Sequence, residues 1–289
     1  MYGKTEFFKK FLYFSISLRY TVRRMDEDMK KKLDEMLARG EITEELYKEI
    51  LSRLEEEEDE SKNEENDIED KSVFAEGLRV GGAVSFDSSL RTEIFKVGGS
   101  ASVNGNLIAE EVSVGGALKV NGKIEAEKIK VGGSLKCKEI YCEFFSIGGA
   151  ARVDNKISAE IVKVGGAIKT KEIEAEVVEI GGAVKAEKIQ AEKISLKLGG
   201  KSEVGRIEAE IVDIKQTRGF LGREKGKLVA DEIKGFVINL EGTTAKKVIG
   251  SSQEGSKVVI GRNCEVDYVE GREIEIHPNA KIKEKKILE

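Results

Sequence analysis

The chain is short of the side chains on which catalysis and metal binding depend. Its 289 residues include no Trp, one Pro (Pro278), one His (His277) and three Cys, and aromatics make up 6%. A single histidine leaves no nucleophile–base set to assemble. Cys137, Cys142 and Cys264 match no zinc-ligand spacing, and free buried thiols used as small apolar residues suit a reducing cytoplasm. Neither a G-x-x-x-x-G-K-[ST] phosphate loop nor the calcium-binding nonapeptide G-G-x-G-x-D occurs. These gaps predict no catalytic residue, no cofactor and no metal: a chain that is not an enzyme.

Charged and small apolar residues are plentiful. With 39% apolar and 36% charged residues the chain is too rich in Val, Ile and Leu for wholesale disorder. Its net charge of −5 is unevenly spread: residues 1–24 carry +5, residues 25–54 carry −3, residues 55–70 carry −10 and the remainder carries +3. That long body is close to neutral and reads as having no basic stripe, so nucleic acid is not an expected partner.

Its glycines are regular. Gly-Gly pairs begin at Gly81, Gly98, Gly115, Gly132, Gly148, Gly165, Gly181 and Gly199, at intervals of 17, 17, 17, 16, 17, 16 and 18. A fixed interval marks a repeat architecture. Within each unit the apolar residues come as period-2 pairs, such as Leu118/Val120, Ile124/Ala126 and Ile129/Val131. Period 2 means strand. Three tiny strands per unit cannot fold back on themselves, but they make one turn of a three-faced coil that stacks in parallel on the next. The prediction is a mostly β protein, a parallel β-helix of about twelve rungs of 16–18 residues over 73–289, with excursions at 215–227 and 250–257. At ~4.8 Å per rung the rod is on the order of 50–55 Å long.

The glycine pairs (Gly81-Gly82, Gly98-Gly99, Gly115-Gly116, Gly132-Gly133, Gly148-Gly149, Gly165-Gly166, Gly181-Gly182 and Gly199-Gly200) follow an inward Val, Ile or Leu. They are expected at corners, both because corners need backbone angles that a Cβ disfavours and because stacked backbones come close there. Asn104-Gly105 and Asn121-Gly122 mark another corner. The register is expected to place Ile214 in the column of Leu198, Ile276 in that of Ile260, and Cys264 with Cys137 and Ala280. His277 falls where other rungs have glycine and reads as a turn residue.

One polar pattern recurs. An acid follows the inward residue of the second strand at Glu110, Glu127, Glu143, Glu160, Glu176, Glu192, Glu210 and Asp231. Stacked rungs would align these as an acidic ladder. It reads either as a solvated edge that discourages lateral sheet pairing or as a surface for a basic partner or cations. Among β-solenoid enzymes, hexapeptide-type acyltransferases need a catalytic His between subunits, and polysaccharide lyases need clustered Asp and Arg beside long loops. The pattern here fits neither.

The front of the chain reads differently. Residues 25–54 give two short amphipathic helices, with Gly40 closing the first and Thr43 capping the second. Residues 55–72 form an acidic linker that self-repulsion keeps extended. In residues 1–24 the apolar stretch FLYFSISL (11–18) is too short to span a bilayer and lacks a cleavage site. Either Phe7, Phe8, Phe11, Leu12 and Phe14 lie on an anionic membrane surface, or translation begins at Met25.

The serial VGG units from Leu78 to about Ile214 resemble the bactofilins, a polymer-forming cytoskeletal family. The segment LDEMLARGEITEELYKEIL separately resembles a SHOCT-type helical domain. The bactofilin resemblance implies a right-handed parallel β-helix, preceded here by the helical hairpin. It also implies end-to-end self-assembly without nucleotide, in the cytoplasm and, for some members, at the membrane's inner face. A monomeric binding or adhesin-like solenoid is the alternative, and a hexapeptide-type acyltransferase is a distant third. The additional rungs, the hairpin and a C-terminal block without Gly-Gly depart from the family pattern.

Overall fold

The structure, a computed structural model, describes residues 73–218 and 224–288. The basic segment, the helical hairpin, the acidic linker and the five candidate membrane-contact residues lie outside them. Among the described residues no helix forms, and none is long and apolar enough to cross a membrane.

The described residues form a parallel β-solenoid of about twelve turns. Each rung pairs with the next at offsets of about one repeat, as in Leu107↔Ile124, Ile124↔Ile140 and Ile157↔Ile140. One turn reads as a short strand (Leu118–Val120), an Asn-Gly corner and a longer strand (Lys123–Val131). That longer strand is bent. Its burial alternates through Ile124 and Ala126, then Glu127 and Lys128 both face outward before Ile129 and Val131 turn in again. Two successive outward side chains break the strand period, so Glu127 marks a corner and the turn has three sides.

The inward columns explain why these residues form these strands. The second side stacks Leu107, Ile124, Ile140, Ile157, Ile173 and Ile189, all buried completely. Branched side chains favour the pleated backbone, and each buried one contributes about 1.5–3 kcal/mol. Before the glutamate corner the inward residue is small, as at Ala109, Ala126, Cys142 and Ala159, because the angle there leaves little room.

Val97, Val114, Val131, Ile147, Val164 and Ile180 all point inward, at 3% exposure or less. The next member of that column is Leu196 and not Leu198, since Ile180 pairs with Leu196 and Leu196 with Ile214. Leu198 pairs with Gln216. The interval of 18 before Gly199 therefore records two residues added after the column position, which glycine counting alone cannot see. Cys264 pairs in register with Ala280 but not with the column of Cys137, which continues through Val153. Ile260↔Ile276 stands as expected. The first excursion includes an antiparallel pair, Thr217↔Lys225 and Arg218↔Glu224, while the second is a turn between Gly250 and Lys257.

Candidate functional site

The glycine corner is a packing device. None of the paired glycines has positive φ, which among the described glycines occurs only at Gly226, Gly242 and Gly255. The expectation that these corners need angles closed to other residues is therefore corrected, and close approach is the reason that remains. A Cβ on Gly149 would lie 2.2 Å from the carbonyl oxygen of Gly133, and one on Gly182 would lie 2.0 Å from that of Gly166. From Gly98 to Gly199 the first glycine of each pair donates its N–H to the rung before it, as Gly115 N does to Val97 O at 2.8 Å. Gly81 and Gly82 would meet nothing within 4 Å, and Gly200 would meet only Ala183 Cβ at 3.6 Å.

The glutamate corner stacks in register from Glu76, which the pairs Ala75↔Thr92 and Gly77↔Ile94 place beside Glu93, to Glu210. The pairs that flank it, Ala109↔Ala126 with Glu111↔Lys128 and Ala191↔Ala209 with Lys193↔Ile211, place Glu110 beside Glu127 and Glu192 beside Glu210. Glu176 N donates to Glu160 O at 2.9 Å, and Glu192 N to Glu176 O at 3.0 Å. Glu93 belongs to the same row, although a rule based on a preceding Ala or Cys passes over it because its inward neighbour is Thr92. Asp231 does not belong. Val204↔Ala230 and Arg206↔Glu232 put it beside Gly205 at a different corner, where Lys246 Nζ lies 2.6 Å from its Oδ1. Both corners follow an inward alanine, so the local pattern is the same at each. The residue stacked on Glu210 is Phe236, and there the ladder stops.

None of the eight glutamates from Glu93 to Glu210 makes an ion pair with a described residue. On the adjoining sides charges pair across rungs, as in Lys96–Glu111 at 2.8 Å and Lys163–Glu179 at 3.2 Å. Partial burial, with Glu160 and Glu127 on either side, pushes the Glu143 carboxyl above the usual carboxylate range. The ladder thus stores like-charge repulsion that nothing within the described chain relieves.

The short-strand side carries the opposite charge, and the sequence reading of a body without a basic stripe is corrected here. Lys119, Lys136, Arg152, Lys169 and Lys185 stack in unbroken register and are exposed. Ser102 precedes them and Glu203 follows. Glu203 accepts from Lys185 and Lys201, each at 2.8 Å, which hold its carboxyl down at about 2. Arg152 lies 3.3 Å from Asp154, whereas Lys119, Lys136 and Lys169 make no ion pair with a described residue. The legible signal is a base directly after the inward residue of each short strand: ALKV, SLKC, AARV, AIKT and AVKA.

Beside these bases runs a row of small outward residues, including Ala117, Ser134, Ala150 and Ala167. The side is consequently concave. One open trough of 560 Å³ is lined by Ala117, Ser134, Lys119 and Lys136 among others, and a second of 710 Å³ by Arg152, Lys169 and Lys185 together with the carboxylates of Asp154, Glu187, Glu203 and Asp231. The Asn-Gly and Gly-Gly corners bound this side, so the glutamate corner is the apex facing away from it.

Among the described residues no group of His, Cys, Asp and Glu could hold a metal ion. All three cysteines are free and buried; burial pushes the Cys137 thiol up to about 12 and raises Cys142 further. His277 N donates to Ile260 O at 2.8 Å, in the place of a corner glycine, and its Nδ1 accepts from Asn279 N at 3.1 Å.

The fold defines the class: a repeat protein built as a parallel β-solenoid. No family model and no solved structure matches the chain. It is similar to YhbF, an uncharacterised protein of Bacillus subtilis (strain 168), with 33% identity over 94 residues, or 31% of this chain. The match spans 38% of that relative's length.

Proposed function

We propose that this chain is a non-enzymatic, bactofilin-like cytoskeletal scaffold that self-assembles end to end through its β-helix without nucleotide. The supporting observation is that, among the described residues, the rungs at both ends of the solenoid pair on one side only. Val84–Phe86 pairs on one side only among the described residues, as do Glu273–Ile276 and Lys281–Ile287. Columns that are dry in the middle are half-wet at the ends: Leu78, Val80 and Val84 at one, Ile274 and Ile282 at the other, with Ile276 39% exposed. An unpaired rung over an apolar cross-section is a template for another rung.

Sedimentation and negative-stain microscopy of the full chain without nucleotide test this reading. The expected result is rods longer than one solenoid. A strictly monomeric species at high concentration and moderate salt would overturn it and leave a monomeric binding solenoid. The cytoplasm is the proposed location, with attachment to the inner face of the membrane through residues 1–24. The +5 charge of residues 1–24 supports weak attachment to anionic lipid, at about 1 kcal/mol per base, and polymerisation would multiply it. Liposome co-sedimentation should favour the full chain over one starting at Met25, and equal pelleting would refute the attachment.

A further inference from the structure

We infer that the basic column and the glutamate ladder are two halves of one contact, made side by side between two copies of this chain. Each row sets like charges directly opposite one another, an arrangement that costs stability in a sheet. On other sides a number of charges are paired across rungs, as Lys257–Glu273 is at 2.8 Å and Lys96–Glu111 is at 2.8 Å. In these two rows most are not. The shapes also fit, because the ladder is a convex apex and the basic side is a shallow trough, floored by Ala and Ser beside Lys119 and Lys136 and lined by both bases and carboxylates from Arg152 to Lys185.

Spacing decides the occupant. A partner for the column from Lys119 to Lys185 must offer a rigid row of carboxylates at ~4.8 Å intervals over ~19 Å. Another copy of this solenoid does so by construction, since its ladder repeats once per rung and runs ~34 Å from Glu93 to Glu210. The two halves lie on opposite sides of one solenoid, so the contact is heterologous and does not close: every copy keeps a free apex and a free trough. Rods would gather into flat sheets. This contact is separate from the end contacts, and assembly width reports on it while assembly length reports on them.

The test is the cross-section of full-chain assemblies by small-angle scattering and negative stain. Rods should be at least twice as wide at about 50 mM salt as at about 500 mM, where the screening length falls to ~4 Å. Replacing Lys119, Lys136, Arg152, Lys169 and Lys185 with Glu should leave single-width rods, as should replacing Glu110, Glu127, Glu143, Glu160 and Glu176 with Lys. An equal mixture of the two variants should widen again, with rod length unchanged throughout. A milder set, the five bases to Gln, should also give single width and covers the case in which a reversal fails to fold, which circular dichroism would detect. Wild-type rods of one width at both salts, variants as wide as wild type, or a mixture that stays single would each overturn the contact. If wild type stays single but binds poly-L-glutamate through the five bases, the occupant is an external polyanion and the proposal is wrong.

Discussion

Gly182 and Gly82 occupy the same place in the same motif, yet a methyl group added to each meets different surroundings. At Gly182 it would press on the backbone of Gly166, which cannot swing aside, whereas at Gly82 it would meet no described residue within 4 Å. Gly182→Ala should therefore destabilise by about 1–3 kcal/mol, and Gly82→Ala by no more than about 0.5 kcal/mol. Urea midpoints would show this, and equal losses would contradict the close-approach account. Glu143 sets a pH dependence. Partial burial, with Glu160 and Glu127 adding repulsion, raises its folded pKa above the unfolded value, so the folded chain holds the proton more tightly. The stability tied to that proton is fully present below the unfolded pKa and is lost as pH rises through the folded one. Glu143→Gln should gain on wild type as pH climbs from about 4 to about 7, and a flat difference in denaturation midpoints would count against it. The buried thiols of Cys137 and Cys142 should resist maleimide until the chain unfolds, because the reactive thiolate is suppressed.

Strands here are interchangeable parts of a column, so length matters more than local sequence. Removing residues 133–148 joins Gly132 to Gly149 and deletes one whole rung, leaving every inward column continuous. Solenoid stability is approximately a sum over rungs and their interfaces. The shortened chain should fold with a modestly lower melting temperature. Removing only residues 133–140 should abolish cooperative melting by circular dichroism, since it brings corners under strands and core residues to the surface. Within a rung the large side chains carry most weight. Phe145, fully buried between Ile129 and Val162, should cost about 3–5 kcal/mol as Ala.

For the whole molecule, the ends and the sides make separable demands. Ile276 and Ile282 sit in the last described rung, Ile276 39% exposed and Ile282 partly buried against the core, and in the proposed end-to-end assembly a charge at either would face the next copy. Ile276→Lys with Ile282→Lys should shorten assemblies toward single solenoids while leaving the circular-dichroism signature of the fold. Assemblies of unchanged length would point away from the ends.

The repeat, the strand period and the inward columns through Ile180 follow from the sequence alone, because Gly-Gly at a near-constant interval and period-2 apolar pairs are local patterns. Tertiary stacking decided the rest. The two residues added after Leu196 leave the Gly-Gly motif intact but move it off its column, and only pairing with Ile214 reveals the shift. Asp231 and Glu210 follow the same inward alanine, yet one stands at the Asn-Gly corner and the other at the acid apex. The five bases lie a full rung apart in a body of small net charge, so no stretch of chain looks basic. They become a row only when parallel register sets each rung on the last, and then a charge on every rung adds to its neighbours instead of being averaged along the chain.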